Sequence, residues 1–220
     1  MKQMPAVNRD LHGMVPDHAS VALLLLDVIN DLDFDGGEKL LAHARPGAER
    51  IAALKARAKR VRIPAIYVND NYGRWQSDFK RLVAHCLEDD VPGRALAEVL
   101  RPEDDDYFVL KPKHSGFYST TLDVLLKYLT ARTVILTGFA GNICVLYTAN
   151  DAYMRDFRLV VPADCVASED VEDNENALRH MQRFLKADVR PSGEIDLEEL
   201  LRADDDCGQG STRTPRQNAT

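Results

Sequence analysis

The sequence predicts an α/β fold in three layers, a mostly parallel sheet wrapped by helices. Three observations carry this prediction. Short apolar runs of strand length recur along the chain. Segments with apolar residues three or four apart lie between them. Short links join the two kinds. Strict alternation of this sort gives a parallel sheet, because each parallel pair needs a crossover and a helix supplies it.

The elements follow in order. Val21–Leu26 is an unbroken apolar run ending at Asp27, as suits a central strand covered on both faces. Residues 46–60 then carry Ile51, Leu54 and Ala58 at helical spacing, with Pro46 suited to a first turn. Residues 64–68 (PAIYV) read as a second strand, broken by the turn-forming Asn69-Asp70-Asn71-Tyr72-Gly73. A helix is expected over 76–87, with Phe79, Leu82, Val83 and Cys86 on one face. Residues 107–110 form the third strand, and 121–129 a helix with Leu122, Leu125, Leu126 and Leu129 on its inner side. Residues 133–137 (TVILT) make the fourth strand, closed by Gly138, and 143–155 the helix after it. A fifth strand over 159–161, a helix over 174–185 and a short last strand near 188–190 complete the pattern.

No composition break or Ser/Gly linker divides the chain, so a single domain is expected over 18–203. Residues 1–17 lack apolar periodicity and are expected to form an irregular arm. The stretch 204–220 is expected to be a disordered tail. A chain of 220 residues is long enough to bury a full core. Its 28 Lys and Arg against 35 Asp and Glu give a net charge of −7, the wrong sign for a phosphate backbone, so nucleic acid is not an expected partner. The first twenty residues lack the apolar centre of a signal peptide. The longest apolar run is far below the ~18 residues of a membrane helix, so no membrane role is expected. Cys86, Cys144, Cys165 and Cys207 show no short spacing, which argues for free thiols and a cytoplasmic setting rather than for zinc or disulfides.

Ligands of an open parallel sheet bind beyond the carboxyl ends of its strands. The residues at those exits are Asp27, Asn69-Asp70, Lys111, the stretch 138–144 and Asp164. Cys144 lies in the strand-to-helix turn TGFAGNICVLYT, where helix-dipole and free N–H groups would favour a thiolate and an oxyanion. A carboxylate at Asp27 could take a thiol proton, and an ammonium at Lys111 could stabilise the charge that results. His114 follows Lys111 by three residues, so a Cys144–His114 dyad stays open as well. Phe34, Asn69, Trp75, Phe117 and Phe139 are candidates for the pocket wall, and Arg74 or Lys113 could meet a carboxylate. No GxGxxG loop or P-loop occurs, and no cofactor is expected.

The stretches LLLLDVIND, LKPKHSGFYST and GFAGNICVLYTANDA occur in an order and spacing that resemble the isochorismatase-like cysteine hydrolase superfamily, as does PADCVAS over 162–168. The likeness spans about 20–190. It implies a Rossmann-like fold, an Asp27-Lys111-Cys144 catalytic triad, an oxyanion hole at Gly141 and Cys144, a cis bond between Ala140 and Gly141, and self-association. The chain departs from the family pattern at Ile29 (usually Gln), Gly116 (usually Ala) and Gly141 (usually Thr). Nicotinamidases of the superfamily carry an Asp-x-His metal motif after the second strand. Here the segment reads Asn-Asp-Asn-Tyr-Gly-Arg-Trp, with no histidine before His85, so no catalytic metal is expected. The resemblance implies hydrolysis of a C–N bond in a small amide, imide or ureido compound through a thioester. Vinyl ether hydrolysis with Asp27 as acid, and a non-catalytic binding protein on the same scaffold, are the alternatives.

Overall fold

The computed structural model describes residues 18–73 and 78–209. The chain runs β1 (Val21–Leu26), α1 (Gly37–Arg60), β2 (Ala65–Asp70), α2 (Phe79–Glu88), α3 (Arg94–Val99), β3 (Tyr107–Lys111), α4 (Leu122–Tyr128) and β4 (Thr133–Phe139). A π-helical turn (Gly141–Val145) leads into α5 (Leu146–Tyr153). Then follow β5 (Arg158–Val160), β6 (Val166–Ala167), α6 (Val171–Phe184) and α7 (Leu197–Gln209).

The strands are all parallel, in the order β3-β2-β1-β4-β5, and β6 pairs with the end of β4. β5 borders the start of β4 through Thr133–Arg158, and β6 borders its last residues through Gly138–Val166. The order reverses between β1 and β4, so a crevice opens there at the carboxyl ends of the strands.

Alternate residues of β1 divide the core. Val21, Leu23 and Leu25 pack with Leu40, Ile51 and Leu54 of α1, Leu96 of α3, and Leu197 and Leu200 of α7. Ala22, Leu24 and Leu26 pack on the opposite face with Leu122 and Leu126 of α4, Ala149 and Ala152 of α5, and Ala177 and Met181 of α6. All six residues of β1 are buried, as a strand sandwiched between helix layers must be. The result is the three-layer α/β fold that the alternation predicts.

Several bounds differ from expectation. α1 begins at Gly37 and carries Pro46 inside it, because Leu40 and Ala44 extend the buried stripe one segment earlier. Pro46 sits on the exposed side, where the carbonyl left without its helical donor can face water. The helix expected from 143 is a π turn followed by α5. The strand expected near 188–190 is one isolated bridge, Val160 with Asp188. α7 runs to Gln209, past residue 203, where composition alone ends the domain. Among the described residues no helix is long and apolar enough to cross a membrane.

Among the described residues β3 is an edge strand, paired only with β2. Just before it, Asp106 is held by Lys55 and Lys59 of α1, its side chain 1% exposed. Lys55 Nζ also donates to Tyr67 Oη at 3.1 Å, and Tyr67 donates to the Leu100 carbonyl at 2.8 Å.

Candidate active site

Asp27 leaves β1 through the left-handed region, with φ of 51°. Few residues adopt that backbone, and Asp does so more readily than most. Its N–H donates to the Val68 carbonyl at 3.0 Å, and its Oδ1 accepts from the Asp70 N–H at 2.7 Å. The carboxylate is thereby fixed across the ends of β1 and β2. Opposite it, Gly138 of β4 has φ of 121°, and a Cβ there would lie 2.0 Å from the Leu26 carbonyl oxygen. Only glycine lets β4 run this close to β1 at the crevice.

Lys111 ends β3 in register with Asp70. Its side chain is wholly buried. Nζ lies 2.8 Å from Asp27 Oδ2, 3.5 Å from Asp70 Oδ2 and 3.5 Å from Cys144 Sγ. The structure thus brings Asp27, Lys111 and Cys144 from three separate strand exits to one point, with Asp70 beside them.

The turn that carries Cys144 is tightly bonded. The N–H groups of Ile143 and Val145 both return to the Ala140 carbonyl. The Asn142 N–H donates to Ser168 Oγ at 3.0 Å, and that hydroxyl donates to Asn174 Oδ1 at 3.0 Å. Ser168 is 1% exposed, so β6 and α6 brace the turn from beneath.

The cis peptide bond is Phe139–Ala140, one bond before the Ala140–Gly141 position expected from the resemblance. Gly141 has a different reason to be glycine. A Cβ there would meet Asn174 Oδ1 at 2.2 Å and Val166 Cγ1 at 2.4 Å. Close packing, rather than the isomer, explains the residue.

The electrostatics set the helix-dipole effect against burial. Burial pushes the Cys144 thiol up to about 12, the Asp27 charge pushes the same way, and Lys111 only partly opposes them. The residue sits in the π turn ahead of α5, and its surroundings favour the thiol over the thiolate. Burial also raises Asp27 above its usual range, against the pull of Lys111. For Lys111, burial acts to lower the ammonium, but Asp27, Cys144 and Asp70 together outweigh it and hold it charged. A buried anion, a fixed cation and a neutral thiol is an arrangement in which a proton can pass from sulfur to carboxylate without a change in total charge.

Other expected site residues lie elsewhere. Asn69 is 1% exposed, and its side chain donates to the Ile29 carbonyl at 2.7 Å, tying down the loop after Asp27. Phe139 is buried in the α1 layer. Phe117 is buried on the α4 side, with its ring 6.0 Å from that of Phe157 and the Arg155 guanidinium 4.7 Å from its centre. These three build core and loop rather than an open wall. Phe34 is 45% exposed in the loop before α1. Trp75 and Arg74 lie outside the described residues. Lys113 is exposed. His114 is exposed too, its ring 5.5 Å from that of Tyr147, while Cys144 has Asp27 and Lys111 for neighbours. Asp164 accepts from both the N–H and the hydroxyl of Ser192 and so anchors the chain after α6. Asp70 and Ser168 are the residues whose part the sequence did not reveal, although both stand at strand ends.

The described residues hold no group of three His, Cys, Asp or Glu side chains placed to share a metal ion. Comparison with known proteins fits this fold. An uncharacterised isochorismatase family protein of Bacillus subtilis, YaaI, is 45% identical over 177 residues, covering 80% of this chain and 97% of its own length. The ureidoacrylate amidohydrolase RutB of Methylorubrum extorquens is 40% identical over 91 residues, which is 41% of this chain and 37% of that protein. Among solved structures, N-carbamoylsarcosine amidase from Thermoplasma acidophilum superposes with a TM-score of 0.63 at 28% identity, over 81% of this chain and 99% of that one. The isochorismatase domain model matches residues 21–189, and this protein accordingly belongs to the isochorismatase family of hydrolases.

Proposed function

We propose that this protein is a cysteine hydrolase that cleaves a C–N bond in a small amide, imide or ureido compound through a thioester, with Asp27, Lys111 and Cys144 as its catalytic residues. The observation that carries this is the buried Lys111 ammonium between Asp27, at 2.8 Å, and Cys144, at 3.5 Å. Names of relatives that act on ureido and carbamoyl compounds support the bond type.

Asp27 takes the thiol proton, and the sulfur attacks the carbonyl carbon of the substrate. The thiol's high resting pKa makes this step depend on the carboxylate. The oxyanion is held by the N–H groups of Gly141 and Cys144, which do not compete with the turn bonds of Asn142, Ile143 and Val145. As the C–N bond breaks, Asp27 returns its proton to the leaving nitrogen. It then takes a proton from water, whose oxygen attacks the thioester. The C–S bond breaks and Cys144 recovers a proton. Lys111 stays protonated throughout. The residues involved require no cofactor or metal for these steps.

A panel of N-carbamoylsarcosine, ureidoacrylate and nicotinamide, followed by ammonia release, tests the reaction. Cys144→Ala should abolish turnover with an unchanged circular dichroism spectrum, and mass spectrometry should find an acylated Cys144 in the wild type. Retained turnover in that variant refutes the mechanism. The raised pKa of Asp27 also suits an acid, so vinyl ether hydrolysis is the second reading, favoured if turnover occurs without an acyl-enzyme. Self-association and a reducing cytoplasmic setting belong to the same proposal. They are supported by exposed Tyr118, Tyr147 and Tyr153 and by free Cys86, Cys144 and Cys165, and sedimentation tests the first.

A further inference from the structure

Lys111 has a second carboxylate beside it. Asp70 Oδ2 lies 3.5 Å from Nζ, and the Asp70 side chain is 35% exposed whereas that of Asp27 is 7% exposed. The residue is held from three directions. It ends β2 in register with Lys111. Its N–H binds Asp27 Oδ1 at 2.7 Å, and its own Oδ1 accepts from the Tyr72 N–H at 2.6 Å. The carboxylate is therefore clamped at one oxygen by the backbone and offers the other to the ammonium.

We propose that Asp70 is a positioning residue of this site: its carboxylate shares the Lys111 ammonium with Asp27 and keeps that ammonium between Asp27 and Cys144 during proton transfer. The proton moves from Cys144 Sγ to an Asp27 oxygen, and the negative charge moves from Asp27 to sulfur. Once Asp27 is neutral, its attraction for Lys111 is lost. The ammonium then has the thiolate on one side and the Asp70 carboxylate on the other. Without Asp70 the ammonium is free to follow the migrating charge. Its full field then falls on Asp27 and Cys144, which favours their charged forms. This inference rests on the hydrolase proposal for its catalytic meaning, but its charge argument can be tested without a substrate.

The experiment compares wild type with Asp70→Asn and Asp70→Glu. Asparagine keeps an acceptor for the Tyr72 N–H and the backbone bond to Asp27 but removes the charge. Alkylation of Cys144 by iodoacetamide at pH 8, read by peptide mass spectrometry, should quicken about threefold to tenfold in Asp70→Asn. It should return towards the wild-type rate in Asp70→Glu. With a substrate found by the panel above, Asp70→Asn should lower kcat more than it raises KM, and the acid limb of kcat/KM should move to lower pH. Unchanged alkylation and an unmoved acid limb in a folded Asp70→Asn protein overturn the proposal. A folded Asp70→Glu protein that behaves like Asp70→Asn also overturns it. If Asp70→Asn does not fold, Asp70→Ser carries the same comparison. If neither neutral variant folds while Asp70→Glu does, the role is structural and the proposal fails. A shift in alkylation with no amide turnover by the wild type defeats the hydrolase proposal and leaves the positioning role of Asp70 standing.

Discussion

Replacing Lys111 with methionine keeps much of the side-chain volume but removes the charge between two carboxylates. At 2.8 Å from Asp27, the ammonium contributes about 6 kcal/mol of attraction at an effective dielectric near 20. Desolvation of both groups offsets part of this, and removing one partner of such a pair costs about 3–5 kcal/mol. For a chain of 220 residues, that lowers the melting temperature by about 6–20 °C. The loss depends on pH in a defined direction. Burial already raises Asp27 in the wild type, and without Lys111 the main opposing influence disappears. A carboxyl whose folded pKa lies above its unfolded value of 3.8 favours the fold below that value. This benefit is lost as pH rises through the folded pKa. The deficit of Lys111→Met relative to wild type should therefore grow between pH 5 and pH 8. Adding Asp27→Asn should recover most of the lost stability and none of the activity, since no buried charge is then left alone. Thermal unfolding followed by circular dichroism at both pH values measures each quantity. A deficit independent of pH, or a double variant no more stable than the single one, refutes the reasoning.

Other consequences are as direct. Because Asp27 must be ionised to accept the thiol proton and its pKa is raised by burial, the acid limb of kcat/KM should lie above 3.8; a pH–rate profile of the wild type checks it, and Asp27→Asn should show no turnover at any pH. Gly138→Ala should cost more than about 3 kcal/mol, since a Cβ there would sit 2.0 Å from the Leu26 carbonyl oxygen at a φ of 121°; urea unfolding measures it, and a small effect would mean β1 and β4 can separate at the crevice. Ser168→Ala leaves the Asn142 N–H without its acceptor, so it should lower the urea midpoint by the equivalent of about 1–3 kcal/mol and reduce kcat, while Ser168→Thr retains more of both.

The three layers were legible because β1 is apolar on both faces and β4 is largely so, and such runs have few other uses. Asp27, Lys111 and Cys144 were legible because they stand where strands end. What stayed hidden depended on partners distant in sequence. Phe117 and Phe139 could as well have lined a pocket. Their burial follows from Phe157 and Arg155 on one side of the sheet and from the α1 layer on the other. Asn69 has the polarity of a wall residue, and only its bond to the Ile29 carbonyl, forty residues back, gives it a loop-fixing part instead. The balance at Cys144 was not legible, because position in a turn reports the dipole, whereas desolvation depends on everything packed around the sulfur. Helix α3 has six residues and strand β6 two, too short to show a period.

The lysine–carboxylate cluster at Asp106 bears on the far end of the same strand. Among the described residues β3 has a strand neighbour on one side only, so its sheet pairing fixes its alignment from that side alone. Side chains alternate across a strand, and a slip by a single residue would turn Lys111 out of the crevice and point Leu110 or Pro112 towards Asp27. Lys55 and Lys59 grip Asp106, immediately before the strand begins, from the long helix α1, which is itself seated in the core. The strand is thus indexed at its base against a rigid ruler, five residues from the ammonium it delivers. Damage to that remote clasp would be felt as a misplaced cation, so loss of catalysis without any change at the crevice itself is the signature by which its part would be known.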